Sequence, residues 1–174
     1  MTALQPVTSE SRLREAFGCF PSGVTAVCAL IDGRPHGMAA SSFTSVSLSP
    51  PLVSICIQRT SSTWPRLRDR RRLGLSVLAE GQDEACLKLS ARHGDRFRDI
   101  SWQTGPDSSV FITGSSAWLE CSLEEEVPAG DHLIALLRIH GPAHGGEPAP
   151  GVPRQPLPPA RRRLSPPVGH REPP

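Results

Sequence analysis

The sequence holds a single lysine, Lys88, against 18 arginines, and neither tyrosine nor asparagine, which is the residue usage of a GC-rich coding sequence. It has no apolar run near the roughly 18 to 20 residues that a membrane-spanning helix needs. Met1 to Glu10 also lacks a basic start followed by an apolar stretch, so no secretory signal is expected and the chain is placed in the cytoplasm. The five cysteines, Cys19, Cys28, Cys56, Cys86 and Cys121, are odd in number, widely spaced and free of CxxC pairs. Neither a disulfide framework nor a zinc site is expected from them. Cys28, Cys56 and Cys121 sit in apolar strand-like runs, where cysteine is usually a small buried hydrophobe. The six histidines do not cluster at metal-ligand spacings, and no metal is expected. Also missing are GxGxxG, GxxxxGK[ST], GxSxG and HExxH, which removes support for a Rossmann site, a P-loop, a nucleophile elbow and a zincin.

What is present suits one domain with a tail. The chain has 174 residues and a formal net charge of +2. Residues 1–140 hold 8 of the 19 prolines and residues 141–174 the other 11. The second stretch has neither aromatics nor apolar periodicity, cannot bury enough surface to offset its chain entropy, and is expected to be a disordered Pro/Arg-rich tail. Without its five arginines and two glutamates the rest carries 14 − 15 = −1. No basic face therefore marks residues 1–140 as nucleic-acid binding.

Within that part, Leu13, Ala16, Phe17 and Phe20 fall at helical spacing after Thr8 and Ser9, and Pro21 with Gly23 ends the helix. Val24 to Ile31 is β-branched and apolar, Asp32-Gly33 is a hairpin signal, and Gly37 to Ser47 continues as a Ser/Thr-rich strand segment. Pro50-Pro51 precedes a buried strand, Leu52 to Ile57. A short helix around Thr63 to Arg70, a strand Leu73 to Leu78 and a helix Gly81 to Arg92 follow, the last with Ala85, Leu87, Leu89 and Ala91 on or near its inner side. Val110 to Thr113, Ala117 to Val127 and His132 to His140 complete seven short strands. That number, with helices at the periphery, points to a mainly β protein built as a barrel.

Two segments carry polar chemistry. Gly37 to Leu52 packs Ser41, Ser42, Thr44, Ser45, Ser47 and Ser49 among small residues, and hydroxyls with unhindered amides suit a flat, phosphate-bearing ligand. The same residues also suit an edge strand facing water. Thr60-Ser61-Ser62-Thr63 stands just before a predicted helix, where free N–H groups favour a phosphate or where a hydroxyl simply caps the helix. The two segments bracket one buried strand, which makes a joint site the better reading.

GVTAV at Gly23 to Val27, HGMAASSFTSVSLSPPLV at His36 to Val53, SSTW at Ser61 to Trp64, SVLAEGQ at Ser76 to Gln82, DRF at Asp95 to Phe97 and AGDH at Ala129 to His132 together resemble the flavin reductase family, the FMN-binding split barrels that serve two-component monooxygenases. The resemblance spans nearly all of residues 12 to 140. It implies a homodimeric split β-barrel that binds FMN, or FAD less selectively, reduces it with NADH or NADPH, and supplies reduced flavin to a separate oxygenase. It implies flavin contacts at Gly37, Met38, Ala39, Ser41 and Ser42, at Cys56, Ile57 and Gln58, and further ones at Arg92, His93 and Phe97. The phosphate is expected at Ser62 and Thr63, with Arg92 a candidate bidentate partner. His132 is implied near the flavin and the nicotinamide, as a catalytic charge or proton partner; otherwise it caps a turn and bonds to backbone. Trp64, Trp102 and Trp118 are expected in the core or an interface.

One departure concerns the end. Family members usually finish the barrel with a strand close to PLVFHGSRFRRL, which is absent here. One choice of codons for Pro150 to Arg161, read one base over, translates as LVFHGSRFRRL. The reading frame is therefore expected to have shifted between about His140 and Pro150, leaving the final strand missing. Its Leu, Val and Phe would represent about 5 to 9 kcal/mol of burial. A second reading follows, a flavin-binding protein with little or no turnover. A third, a tail acting as an interaction module, would need the tail to bind a partner alone.

Overall fold

The computed structural model describes residues 9–20 and 22–143. It contains helices α1 (Glu10–Gly18), α2 (Trp64–Leu67) and α3 (Asp83–Ser90) and nine strands: β1 (Thr25–Ile31), β2 (Arg34–Ala40), β3 (Thr44–Leu48), β4 (Pro51–Gln58), β5 (Leu73–Val77), β6 (Trp102–Thr104), β7 (Val110–Ile112), β8 (Ala117–Ala129) and β9 (His132–Ala143). Seven of them form one antiparallel sheet in the order β2-β1-β5-β8-β9-β4-β3, and β6 pairs with β7.

β1 explains why its sequence reads as an unbroken apolar run. Val27, Ala29 and Ile31 enter the main core with Ile55, Ile57, Leu73, Leu75 and Leu137. Ala26 and Cys28, on the opposite face, join Leu89, Phe97, Val110 and Ile112 in a second cluster. Both faces of the strand are buried, so no polar alternation survives. The main core draws on β1, β4, β5, β8 and β9 together, because the sheet curls round it as an incompletely closed barrel. The β6-β7 ribbon lies over the second face, held by the Ser76 hydroxyl, which accepts from the Ile112 amide at 3.0 Å, and by Trp118 Nε1 donating to the Ile112 carbonyl at 2.8 Å.

The hairpin at Asp32-Gly33 forms with positive φ at both residues, 52° and 73°. Several expectations need correction. The segment Gly37 to Ser47 is not one strand, because pairing stops at Ala40 and resumes at Thr44 with a different partner. β6 was missed, being three residues long, too short for a periodic signal. Leu87 is 72% exposed, since α3 buries Ala85 and Leu89 at i and i+4 and turns i+2 outward. Cys56 is exposed while Cys28 and Cys121 are buried, because in β4 the buried residues are Val53, Ile55 and Ile57 and the period of two directs Cys56 away. Burial pushes the Cys121 thiol up to about 12 and the Cys28 thiol higher still. Trp64 and Trp118 are core residues and Trp102 is half-buried. β9 continues to Ala143. Pro21, the helix-stop residue, lies outside the described residues, as do the tail from residue 144 and its frame-shift reading.

Two contacts fix the parts that matter later. Glu126 of β8 accepts from Trp64 Nε1 at 2.5 Å and from Arg68 Nη1 at 3.1 Å, so one carboxylate ties α2 to the sheet. At Gly37, a Cβ would stand 2.4 Å from Cys28 Sγ and 3.0 Å from Phe97 Cζ, so only glycine lets β2 lie against the second cluster. Gly37→Ala should lower unfolding free energy by about 1 to 3 kcal/mol in urea titration, and Cys28→Ala should recover much of the loss; no recovery would place the strain elsewhere. Glu126→Ala should cost about 1 to 3 kcal/mol by leaving the buried indole N–H unpaired. In the same titration, Arg68→Ala should cost less, about 0 to 1 kcal/mol, its ion pair being surface exposed.

Candidate functional site

The place where β2 ends and β3 begins is also where the barrel opens. β3 covers β4 only from Pro51 to Ser54, so the next residues of β4 lose a strand partner on that side. Ser42 replaces it: its hydroxyl donates to the Cys56 carbonyl at 3.1 Å and accepts from the Cys56 amide at 2.7 Å. One side chain thus satisfies both backbone groups that a strand would have taken. The Ser42 hydroxyl, expected to contact a ligand, is committed to this bracket, leaving the segment's amides and Ser41 to do so.

A cleft of about 820 Å³ lies at this opening. Its lining brings together Met38, Ala39, Ala40, Ser41 and Ser42, then Cys56, Ile57 and Gln58 of β4, then Thr60 to Thr63, then Leu89 to His93 at the end of α3, with Arg96 and His132. Most of the residues expected from the sequence therefore face one space. Gly37 and Phe97 do not. Phe97 is buried in the second cluster, and both line a neighbouring cleft of about 780 Å³ with Arg34, Pro35, His36, Ser62, Thr63, Arg66, Gly94, Asp95, Arg96 and Trp102. Ser62, Thr63 and Arg96 form the wall common to the two.

The hydroxyl run before α2 divides its labour. Ser61 accepts from the Trp64 amide at 3.2 Å, the capping role. Thr63 accepts from Arg96 Nη1 at 2.6 Å, and the same nitrogen donates to the Gly37 carbonyl at 3.0 Å. Ser62 is exposed to both clefts. α2 is four residues long, too short to carry the helix-end field expected from sequence, which leaves the hydroxyls and the guanidiniums of Arg92 and Arg96 as the groups in this cleft that could hold a phosphate. Arg96 was not singled out, although it sits inside the DRF block.

His132 opens β9 opposite Gln58 of β4. Gly130, at φ 64°, supplies the left-handed residue that reverses the chain from β8. The ring is half-buried at the cleft edge, and its Nδ1 donates to Asp131 Oδ1 at 2.8 Å. That bond holds the Asp131 carboxyl below its usual range. The partner is thus a side chain and not the backbone, and among the described residues Nε2 has none. In the second cleft, desolvation first and the Arg66 cation next hold His36 below the ordinary histidine value.

The family model described as flavin reductase like domain matches residues 17–157. An NADH-dependent FAD reductase of Streptomyces globisporus is 41% identical over 131 residues, 72% of this chain and 71% of that protein. The reductase subunit of a stachydrine N-demethylase of Rhizobium meliloti (strain 1021) is 36% identical over 151 residues, 80% of this chain. The chain spans 66% of that relative's length and 41% of a probable flavin reductase from the same organism. Among solved structures, an NADH:FAD oxidoreductase of Streptomyces globisporus C-1027 in complex with NAD and FAD fragments superposes with TM-score 0.76 at 36% identity, covering 82% of this chain and 87% of that one. Nitrilotriacetate monooxygenase component B from Mycobacterium thermoresistibile gives TM-score 0.76 at 30% identity, covering 81% and 79%. With a family model matched along most of its length and such relatives on both comparisons, this mainly β split barrel belongs to the flavin reductase like domain family.

Proposed function

We propose that the chain is an NAD(P)H-dependent flavin reductase that binds FMN or FAD in the cleft between β2 and β4 and hands reduced flavin to a separate monooxygenase. The observation that carries this reading is the convergence of Ser41 and the amides around it with Thr60 to Thr63 on one cleft. The donor set fits the group. Met38, Ala39, Ala40 and Leu89 offer small or apolar walls to a ring, while Ser62, Thr63, Arg92 and Arg96 offer donors to a phosphate. Cys56, Ile57 and Gln58 border the same cleft, with His93 beside Arg92. Flavin and nicotinamide supply the hydride chemistry when bound. The chain's residues orient them, and hydride transfer asks no acid or base of the protein.

His132 is the catalytic candidate, with Asp131 holding its Nδ1 and leaving Nε2 to face the reacting groups. The names of the relatives, among them reductase components of flavin-dependent monooxygenases, support the oxygenase partner. A homodimer is supported by apolar surface left open at Phe17 of α1, at Phe20 just beyond its end, and at Val46 and Leu48 of β3. A cytoplasmic setting agrees with a chain in which no described helix is long and apolar enough to cross a membrane.

Adding NADH or NADPH to the protein mixed with FMN or FAD should bleach the oxidised-flavin absorbance. Flavin that binds without bleaching would favour the second reading. His132→Ala should slow that bleaching by about 10- to 100-fold and leave the flavin Kd little changed; an unchanged rate removes His132 from the reaction. In a third experiment, flavin should shield exposed Cys56 from iodoacetamide, read by peptide mass spectrometry, while Cys19 continues to react. Equal modification of Cys56 with and without flavin would put the ligand elsewhere.

A further inference from the structure

The loop from Arg59 to Thr63 leaves β4 and ends at α2, and the β8-β9 ribbon holds it at both ends. At its start the Arg59 amide donates to the Asp131 carbonyl at 3.0 Å, one residue from His132. At its end Glu126 of β8 accepts from Trp64 Nε1 through one carboxylate oxygen, at 2.5 Å, and from Arg68 Nη1 through the other, at 3.1 Å. Those two donors belong to the first residue of α2 and to its C-cap, so one carboxylate spans the whole helix. Ser61 carries the hold back into the loop by accepting from the Trp64 amide at 3.2 Å. Ser62 and Thr63, the residues read as phosphate ligands, lie between these fixed points.

The two halves of the Glu126 contact differ in weight. Trp64 is 2% exposed, so water does not replace Glu126 as acceptor, and losing that bond leaves a buried N–H unpaired. The Arg68 side chain is 45% exposed, and its ion pair contributes little. α2 does not compensate, because a helix of four residues is far below the length of about 12 at which a helix stabilises itself. Burial of Trp64 and Leu67 in the main core keeps α2 down on the sheet, but apolar packing is not directional. The hydrogen bond fixes the rotation of the indole, and with it the place of the hydroxyls that precede Trp64. That place matters because a hydroxyl donates well only over a few tenths of an ångström in distance. Glu126 lines neither cleft, and its charge would repel a phosphate, so direct contact with the flavin is not its role.

We propose that Glu126, from outside the cleft, is a positioning residue for the flavin phosphate: by fixing the Trp64 indole it sets where Ser62 and Thr63 present their hydroxyls. This rests on the flavin reading of the first cleft. Flavin-fluorescence titration of the full chain with FMN and with riboflavin, which has the same ring and ribityl chain but no phosphate, tests it. FMN should bind about tenfold or more tightly than riboflavin. Glu126→Ala should weaken FMN about 3- to 10-fold and leave the riboflavin Kd unchanged. Trp64→Phe, which removes the donor and keeps an aromatic ring, should do the same, and the two changes together should weaken FMN no more than either alone. Glu126→Gln, whose amide oxygen still accepts from the indole, should restore most of the FMN affinity. Riboflavin serves as the internal control for folding, since general damage weakens both ligands. Equal weakening of FMN and riboflavin would reduce Glu126 to a structural residue and overturn the proposal. So would an unchanged FMN Kd in Glu126→Ala, or a Gln variant as weak as the Ala one. Equal Kd values for FMN and riboflavin in the starting chain would take the phosphate, and the proposal, away from the hydroxyl loop while leaving the flavin reading intact. If neither ligand binds, the reading of the first cleft fails and the positioning role with it.

Discussion

A sheet that curls round a core must either join its two edges or provide for the amides left unpaired between them. Here that obligation falls on Ser42. β3 abandons β4 after Ser54, and the Ser42 hydroxyl takes both the amide and the carbonyl of Cys56. The barrel therefore stays open with both backbone groups of Cys56 satisfied, and the opening becomes a cleft. Everything proposed for the protein depends on that opening: the exposure of Cys56, the approach of the hydroxyl loop, and the presence of His132 across from Gln58.

The cleft is then furnished by elements that are rigid for other reasons. α2 is too short to stand alone, but Glu126 fixes it through Trp64 and Arg68, and the preceding loop inherits its position. Arg96 bridges that loop to β2 through Thr63 and Gly37. A chain with almost no net charge, +2 in all, thereby concentrates Arg34, Arg66, Arg92 and Arg96 around two adjoining clefts. Local arrangement, more than overall balance, creates the field a phosphate would meet.

The strands were legible wherever burial imposes a pattern. β1, β4 and β5 read as apolar runs, and the Asp32-Gly33 and Gly130-Asp131 turns are written in residues that accept positive φ. The break at residues 41–43 was not, since small polar residues look alike inside a strand and between two strands. The family blocks contain most of the residues that line the first cleft, while Phe97, whose ring packs against Gly37, lines the second. They also hid Arg34, Arg66 and Arg96, which gather only because the fold brings residues far apart in sequence to one wall. No local signal records such a meeting.

The convergence of the two hydroxyl segments on one ligand is tested most directly by amide-resolved NMR of the labelled protein during a flavin titration. The amides of Ser41 to Phe43 and of Thr60 to Thr63 should shift together and saturate along a single binding curve. Shifts confined to one segment, or following two different curves, would contradict a shared site.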